Sequence, residues 1–278
     1  VRLTIASPDV TWVKISNEGP AEMQYNIRVR GYMDLDGVKM TSWDPDDSSV
    51  VEQESDGSVP RPFIRYQDAE GGVIENSELS HLGYDGSIRR GFSVIGDSAK
   101  IEIRNSDIHH FWYAFYSNGA ENIVIDDNKY HHNHKYAIDP HSGTRDMQIT
   151  NNLVYKNAGI GIICSLDCEN ILIESNYVYD NPKTGITLSR NTHDSIVGYN
   201  HISNSDRGIV ITESPNNEVY NNLIENVNDG IYLVNPPNPD DGRTTDNRVY
   251  DNTIMDADND VELFRVSDEA NHVEEQED

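Results

Sequence analysis

Eight consecutive residues, Lys135-Tyr136-Ala137-Ile138-Asp139-Pro140-His141-Ser142, bring an ammonium, a phenol, a carboxylate and an imidazole close together in the chain. A neutral imidazole can take up a proton near pH 7. A phenol can do likewise only where a nearby positive charge lowers its pKa, which gives Lys135 or a neighbouring arginine a part to play. Groups of these types suit acid–base transfer of a proton, with cations stabilising negative charge that develops. The chain on either side repeats a similar segment with bland residues in the same places. The chemistry is concentrated in one copy, and the other copies read as its scaffold.

That scaffold repeats. One asparagine column runs Asn128, Asn152, Asn176, Asn200, Asn222 and Asn252, with successive differences of 24, 24, 24, 22 and 30. A second half-motif recurs as Ala137-Ile138, Gly161-Ile162, Gly185-Ile186, Gly208-Ile209 and Gly230-Ile231. Each unit is too short to bury a core of its own, and helix-period patterning is absent. A period of 22 to 24 built from short β-runs and Asn/Gly turns fits the coil of an all-β solenoid, the right-handed parallel β-helix. Ile162, Ile186, Ile209 and Ile231 should stack inward, and the asparagine amides should bond to one another up the stack. Leucine-rich repeats have a similar period but need a leucine frame that is missing here.

Residues 1–60 alternate apolar and polar side chains without a clear repeat, as in Val10-Thr11-Trp12-Val13-Lys14-Ile15. They are expected to form an N-terminal cap and irregular first coils, since the open end of a stacked core needs cover. Asp44 to Asp56 reads as a surface loop. Residues 61–265 are assigned to the β-helix, with Asn235 to Thr245 as a protruding loop. Residues 266–278 read as a disordered acidic tail.

Strand alternation assigns faces. Setting Ala137 over Gly161, Gly185 and Gly208 turns Ile138 and Pro140 inward and Tyr136, Asp139 and His141 outward. The Tyr136 column then holds Arg90, Tyr113, Ile160, Thr184 and Arg207. The Asp139 column holds Ser93, Tyr116, Ile163, Thr187 and Val210. Ser165, Ser189 and Thr212 follow His141, with Arg190 one residue beyond Ser189. Tyr113, Tyr116, Phe111 and Trp112 could offer faces to sugar rings, and Arg90, Arg190 and Arg207 could pair with carboxylates. For any single arginine an ordinary solvated face is the competing reading.

With 48 acidic against 21 basic residues the chain carries a net charge of −27. A phosphate backbone would be repelled, which excludes nucleic acid as partner. The acidity also fits a surface adapted to a salty or extracellular setting. No apolar run approaches the roughly 18 residues of a membrane-spanning helix. The chain starts at Val1, which the expectation of a secreted or cell-surface protein accommodates as a removed signal peptide. Cys164 and Cys168 are the only cysteines and read as a core residue and an incidental neighbour rather than a metal pair. His131-His132-Asn133-His134 reads as a polar turn. Asp240-Asp241-Gly242 is the nearest approach to a calcium loop, and it too reads as a turn.

Tyr136-Ala137-Ile138-Asp139-Pro140-His141 resembles the Tyr-Gly-Phe-Asp-Pro-His motif of the mannuronan C-5 epimerases. Gly161-Ile162-Ile163-Cys164-Ser165 is similar to that family's Gly-Ile-Ile-x-Ser stretch. The resemblance implies a right-handed parallel β-helix and removal of the C5 proton of a uronate within a polymer, followed by protonation from the opposite face. It makes His141 and Tyr136 the acid/base pair, with Asp139 positioning and polarising them. It also requires a cation for the substrate carboxylate. One branch of the family carries Arg after the serine that matches Ser165, whereas this chain has Leu166. Arg190 is the nearest equivalent, with Lys183, Lys135 or Arg90 as substitutes. Arg90, Tyr113, Tyr116, Lys135, Lys183 and Arg207 are the expected substrate-binding residues. No cofactor is required by these residues, although relatives often use calcium, and the identity of any metal ligand stays open. The expected partner is an anionic polysaccharide, bound by a monomer.

Two other outcomes fit the same residues. A polyuronate lyase would share the proton abstraction but expel the C4 substituent. A non-catalytic carbohydrate-binding β-helix would bind without turnover. Glycoside hydrolysis fits poorly, because no outward carboxylate pair lies beside Asp139 in the adjacent coils.

Overall fold

The structure, a computed structural model, describes residues 1–18, 25–86, 89–98, 100–238, 243–266 and 270–276. Its strands pair in parallel with the strand one coil away, and the chain winds as a β-helix with three faces. The first face is an eleven-stranded sheet that runs from Arg2–Ala6 to His272–Val273. The second begins with Trp12–Ser16 and Lys39–Trp43, and the third with Asn26–Val29 and Phe63–Gln67. From His201–Thr212 onward the second and third faces run together in single strands of 12 residues.

Side chains that alternate along each strand stack in columns up the coil axis. On the third face Ile138, Ile162, Ile186, Ile209 and Ile231 are in register on successive coils and fully buried, as the repeat predicted. Burying one such side chain is worth about 2 kcal/mol relative to leaving it exposed. Each coil therefore gains stability only by stacking on its neighbours. Beside this column Gly161, Gly185, Gly208 and Gly230 are glycines for a steric reason. A Cβ on Gly161 would lie 2.8 Å from the carbonyl oxygen of Gly185, and one on Gly208 would lie 2.5 Å from that of Gly230.

The asparagine column is a buried ladder. Each Nδ2 donates to the Oδ1 of the next member, from Asn128 to Asn152 at 3.1 Å through Asn222 to Asn252 at 2.9 Å. Each Nδ2 also reaches a backbone carbonyl, so the ladder satisfies the polar groups of a turn that faces the core. Two further ladders escaped the sequence reading, Asn133–Asn157–Asn181 and Asn217–Asn247–Asn271.

The ends differ from expectation. Residues 1–60 already hold the irregular first coils that were expected, with no separate cap among the described residues. Arg2–Ala6, Trp12–Ser16 and Asn26–Val29 are already strands of the three faces, paired with the coil that follows. Their alternation was that of coil strands, with Leu3 and Trp12 left exposed at the open end. At the other end, residues 270–276 of the expected tail add a rung instead of leaving the coil. His272 and Val273 pair with Arg248 and Val249, and Gln276 accepts from Asn252 at 2.9 Å, where the next ladder asparagine would stand. Asp46 to Ser49 are exposed, as expected of a surface loop. The Asn235 loop is closed at its base by Asn235, whose Oδ1 accepts the Thr244 amide at 2.7 Å. Asp240, Asp241 and Gly242 lie outside the described residues. Among the described residues no helix is long and apolar enough to cross a membrane.

Candidate active site

The third face carries Tyr136, Asp139 and His141 on one coil. Ile138 anchors this stretch in the core and Asp139 stands in register with Tyr116, while His141 bridges to Ser165 of the next coil. Tyr136 lies against a glycine that leaves room for it. A Cβ on Gly159 would come within 2.9 Å of the Tyr136 ring.

Asp139 is on the outer face, as the register assigned it, yet it is buried. It is 2% exposed and forms the floor of the cluster. One oxygen stands 3.5 Å from Nη1 of Arg90, and the other, Oδ1, is buried with no hydrogen-bond partner. Burial raises its pKa to about 7 against the opposing pull of Arg90 and Arg190.

His141 is held between three neighbours. Its Nδ1 lies 2.5 Å from the Ser142 hydroxyl, and its ring lies 5.6 Å from that of Tyr116. Nη2 of Arg190 donates to its Nε2 across 3.2 Å. A guanidinium has only donors, so Nε2 carries the lone pair and the imidazole is neutral. Burial first, then the charges of Arg190 and Arg90, lower its pKa to about 4. Arg190 is fixed in turn by the Ser165 hydroxyl, which accepts from its Nε at 2.8 Å and its Nη2 at 2.6 Å. Although Leu166 occupies the position that follows Ser165, the arginine one coil later reaches back across that serine to the imidazole.

Arg90 completes the group. It lies over the rings of Tyr113 and Tyr116, at 4.5 and 4.1 Å from their centroids. In register the partner of Tyr113 is Gly91 rather than Arg90, because the pairing is irregular between Tyr113 and Tyr116. The arginine reaches the site by folding over both rings. Tyr113 packs edge-on against Tyr136 at 5.4 Å, and burial pushes its own pKa up to about 12. Arg190, His141, Tyr116, Arg90, Tyr113 and Tyr136 thus form one continuous belt above Asp139.

Other expected members stand apart. Arg207 is in register with Thr184 and Asp229, and its Nε is bound to Asp229 at 2.7 Å. Lys183 is exposed at the start of the Thr184 strand. Lys135 is exposed beside the belt, with its ammonium over Trp112 at 4.9 Å. Phe111 and Trp112 are core residues and offer no face to a ligand. Cys164 and Cys168 are free and buried. Asn133, in the polar turn His131–His134, belongs to a ladder. Ser142 and Ser165, which hold His141 and Arg190, were not singled out as site residues. The signal for Ser165 lay in the serine column that it shares with Ser189. For a metal, Glu169, His193 and Asp194 place one ligand atom each within 4.8 Å of one another, on the approach to the first face.

Comparison with known proteins is consistent with this architecture. The family model "Right handed beta helix region" matches residues 57–197 and 163–275. A mannuronan C5-epimerase of Pseudomonas putida is 29% identical over 147 residues, which cover 52% of this chain and only 27% of that protein. Among solved structures, a doubly substituted form of the periplasmic alginate epimerase AlgG superposes with a TM-score of 0.75 at 22% identity, covering 96% of this chain and 75% of that one. The A-module of the Azotobacter vinelandii mannuronan C-5 epimerase AlgE6 gives 0.61 at 15% identity, covering 100% and 90%. At these identities the structural likeness is one of fold.

Proposed function

We propose that this chain, which belongs to the right-handed β-helix family, is a C-5 epimerase of a polyuronate such as mannuronan. The contact between Arg190 and the neutral imidazole of His141 carries the reading, and the similarity to a mannuronan C5-epimerase supports it. The C5 proton of a uronate is a very weak acid, because the adjacent carboxylate already bears a negative charge. Its removal needs a base and positive charge at the same place. Arg190 and Arg90 supply that charge from two sides of Asp139.

In this mechanism the substrate carboxylate takes up Arg190 and Arg90, which frees Nε2 of His141. The C5–H bond breaks, its proton passes to Nε2, and the electron pair moves into the carboxylate as an enediolate. The two guanidiniums, already in place before the reaction, stabilise that charge. The Tyr136 hydroxyl then gives its proton to the opposite face of C5, and the imidazolium and phenolate re-equilibrate with solvent. Asp139, when protonated, can donate from its unpartnered Oδ1 toward the substrate carboxylate. Tyr113 and Tyr116 hold Arg90 and flank the ring. Lys135 and Lys183 are peripheral contacts, and Arg207 reaches substrate only by leaving Asp229. The protein acts as a monomer outside the cytoplasm, where such polymers are found, and calcium is an optional addition rather than part of the reaction.

Incubation with polymannuronate, with and without calcium, tests the assignment. New guluronate signals by proton NMR without a rise in ultraviolet absorbance are the expected result. A rise in absorbance from an unsaturated product would make the protein a lyase, and silence in both would leave a binding role.

A further inference from the structure

The outer column that contains Asp139 extends four coils toward the N-terminus. Arg28, Arg65, Ser93, Tyr116 and Asp139 follow one another in register on successive coils. With strands about 4.8 Å apart, Arg65 lies about 14 Å and Arg28 about 19 Å from Asp139 along the axis. Two arginines directly opposite each other repel. Neither is relieved by an ion pair with an acid among the described residues. Arg28 donates to the amide oxygen of Gln67 at 2.5 Å, and Nε of Arg65 is buried without a partner. Burial and the charge of Arg28 lower the Arg65 pKa, and Asp68 only partly opposes them. In a chain of net charge −27, an unneutralised arginine pair beside the candidate site marks a place for an anion.

The same column in the other direction is different. It passes through Ile163, Thr187, Val210, Tyr232 and Glu262. Beyond the exposed Lys183, Arg207 is neutralised by Asp229, which also accepts from Asn259 at 3.0 Å. On this side the column holds no arginine, and the cations beside it, Arg190 and Lys183, stand within two coils of Asp139.

We propose that the polyuronate lies over the N-terminal coils, with Arg65 and Arg28 as carboxylate subsites beyond Arg90. This rests on the polyuronate reading above. The rise of one coil is comparable with the length of one sugar ring, so successive carboxylates can meet cations on successive coils.

Arg65→Gln, Arg28→Gln and the double variant should be assayed on a mannuronate trimer and a decamer. Arg248→Gln, on the first face and paired with Glu218, serves as a charge control. The expected result is a several-fold rise in KM for the decamer with little change in kcat, larger in the double variant and reduced by added salt. The trimer should be unaffected, and Arg65→Lys should restore most of the decamer affinity. An active wild type with an unchanged decamer KM in the double variant overturns the subsites, as does an equal effect of Arg248→Gln. A wild type inactive on both substrates overturns the polyuronate reading and this inference with it.

Discussion

Nη2 of Arg190 stands 3.2 Å from Nε2 of His141, although 49 positions separate the two in the chain. The coil makes them neighbours. Ser165, on the coil between them, holds the guanidinium in place through two hydrogen bonds. A cation so close to an imidazole keeps that imidazole neutral.

Arg190→Lys should lower kcat by about 100-fold or more, the usual loss when a preorganised charge is removed from a developing anion. Lysine retains the charge but not the fork that Ser165 holds. Arg190→Ala should in addition raise the His141 pKa from about 4, because Arg190 is second only to burial in lowering it. The acid limb of the pH–kcat/KM profile should therefore move to higher pH, and a profile with an unmoved limb would refute the electrostatic link.

Asp139 and His141 should oppose each other in the pH dependence of stability. Burial raises the folded-state pKa of Asp139 to about 7. Its contribution is therefore fully present below its ordinary value near 4 and is lost as pH rises through about 7. His141 is lowered to about 4, so its contribution is present above its ordinary value near 6.5 and is lost as pH falls through about 4. Urea denaturation across pH 4 to 8 should show that Asp139→Asn removes a decline in stability that the wild type shows toward pH 8.

Gly159→Ala should reduce turnover without unfolding the protein. The added methyl would meet the Tyr136 ring at 2.9 Å and the Lys135 carbonyl at 3.0 Å, which displaces the phenol from the belt. The expected signature is a loss of kcat far greater than the change in melting temperature. An active Gly159→Ala variant would argue that the position of Tyr136 is not critical.

Asn176→Ala should destabilise the coil by about 1–3 kcal/mol, since it leaves buried partners unsatisfied on both sides. Its Nδ2 donates to Asn200 at 2.9 Å, and its Oδ1 accepts from Asn152 at 3.0 Å. Equilibrium denaturation checks this, and because the ladder is separate from the belt, the kcat of the folded variant should be that of wild type.

Chelation should leave the reaction running. In the proposed mechanism Arg90 and Arg190 provide the positive charge at the substrate carboxylate, so EDTA should not abolish turnover. Loss of activity that calcium restores would assign the charge to an ion instead.

What could be read from the sequence was set by how local its cause is. The spacing of Asn128 to Asn252 and the Gly-Ile repeats fix the coil, because every coil repeats the same packing problem. Ladders such as Asn133–Asn157–Asn181 carry the same 24-residue spacing and were legible in principle. The first 60 residues were harder, since their coils are long and irregular and carry no asparagine ladder. Tyr136, Asp139 and His141 emerged from the repeat register. Their burial did not, because Asp139 is covered by Arg90 and Tyr116 from earlier coils. Phe111 and Trp112 looked like sugar platforms because strand alternation does not hold through the turn that buries them.

The central claim is that His141 takes the C5 proton of a uronate. Its most direct test is to incubate polymannuronate in D2O with the wild type and with His141→Ala, and to follow deuterium at C5 by NMR. The account predicts guluronate residues deuterated at C5 with the wild type and none with the folded variant. Equal deuterium incorporation by the two proteins would contradict it.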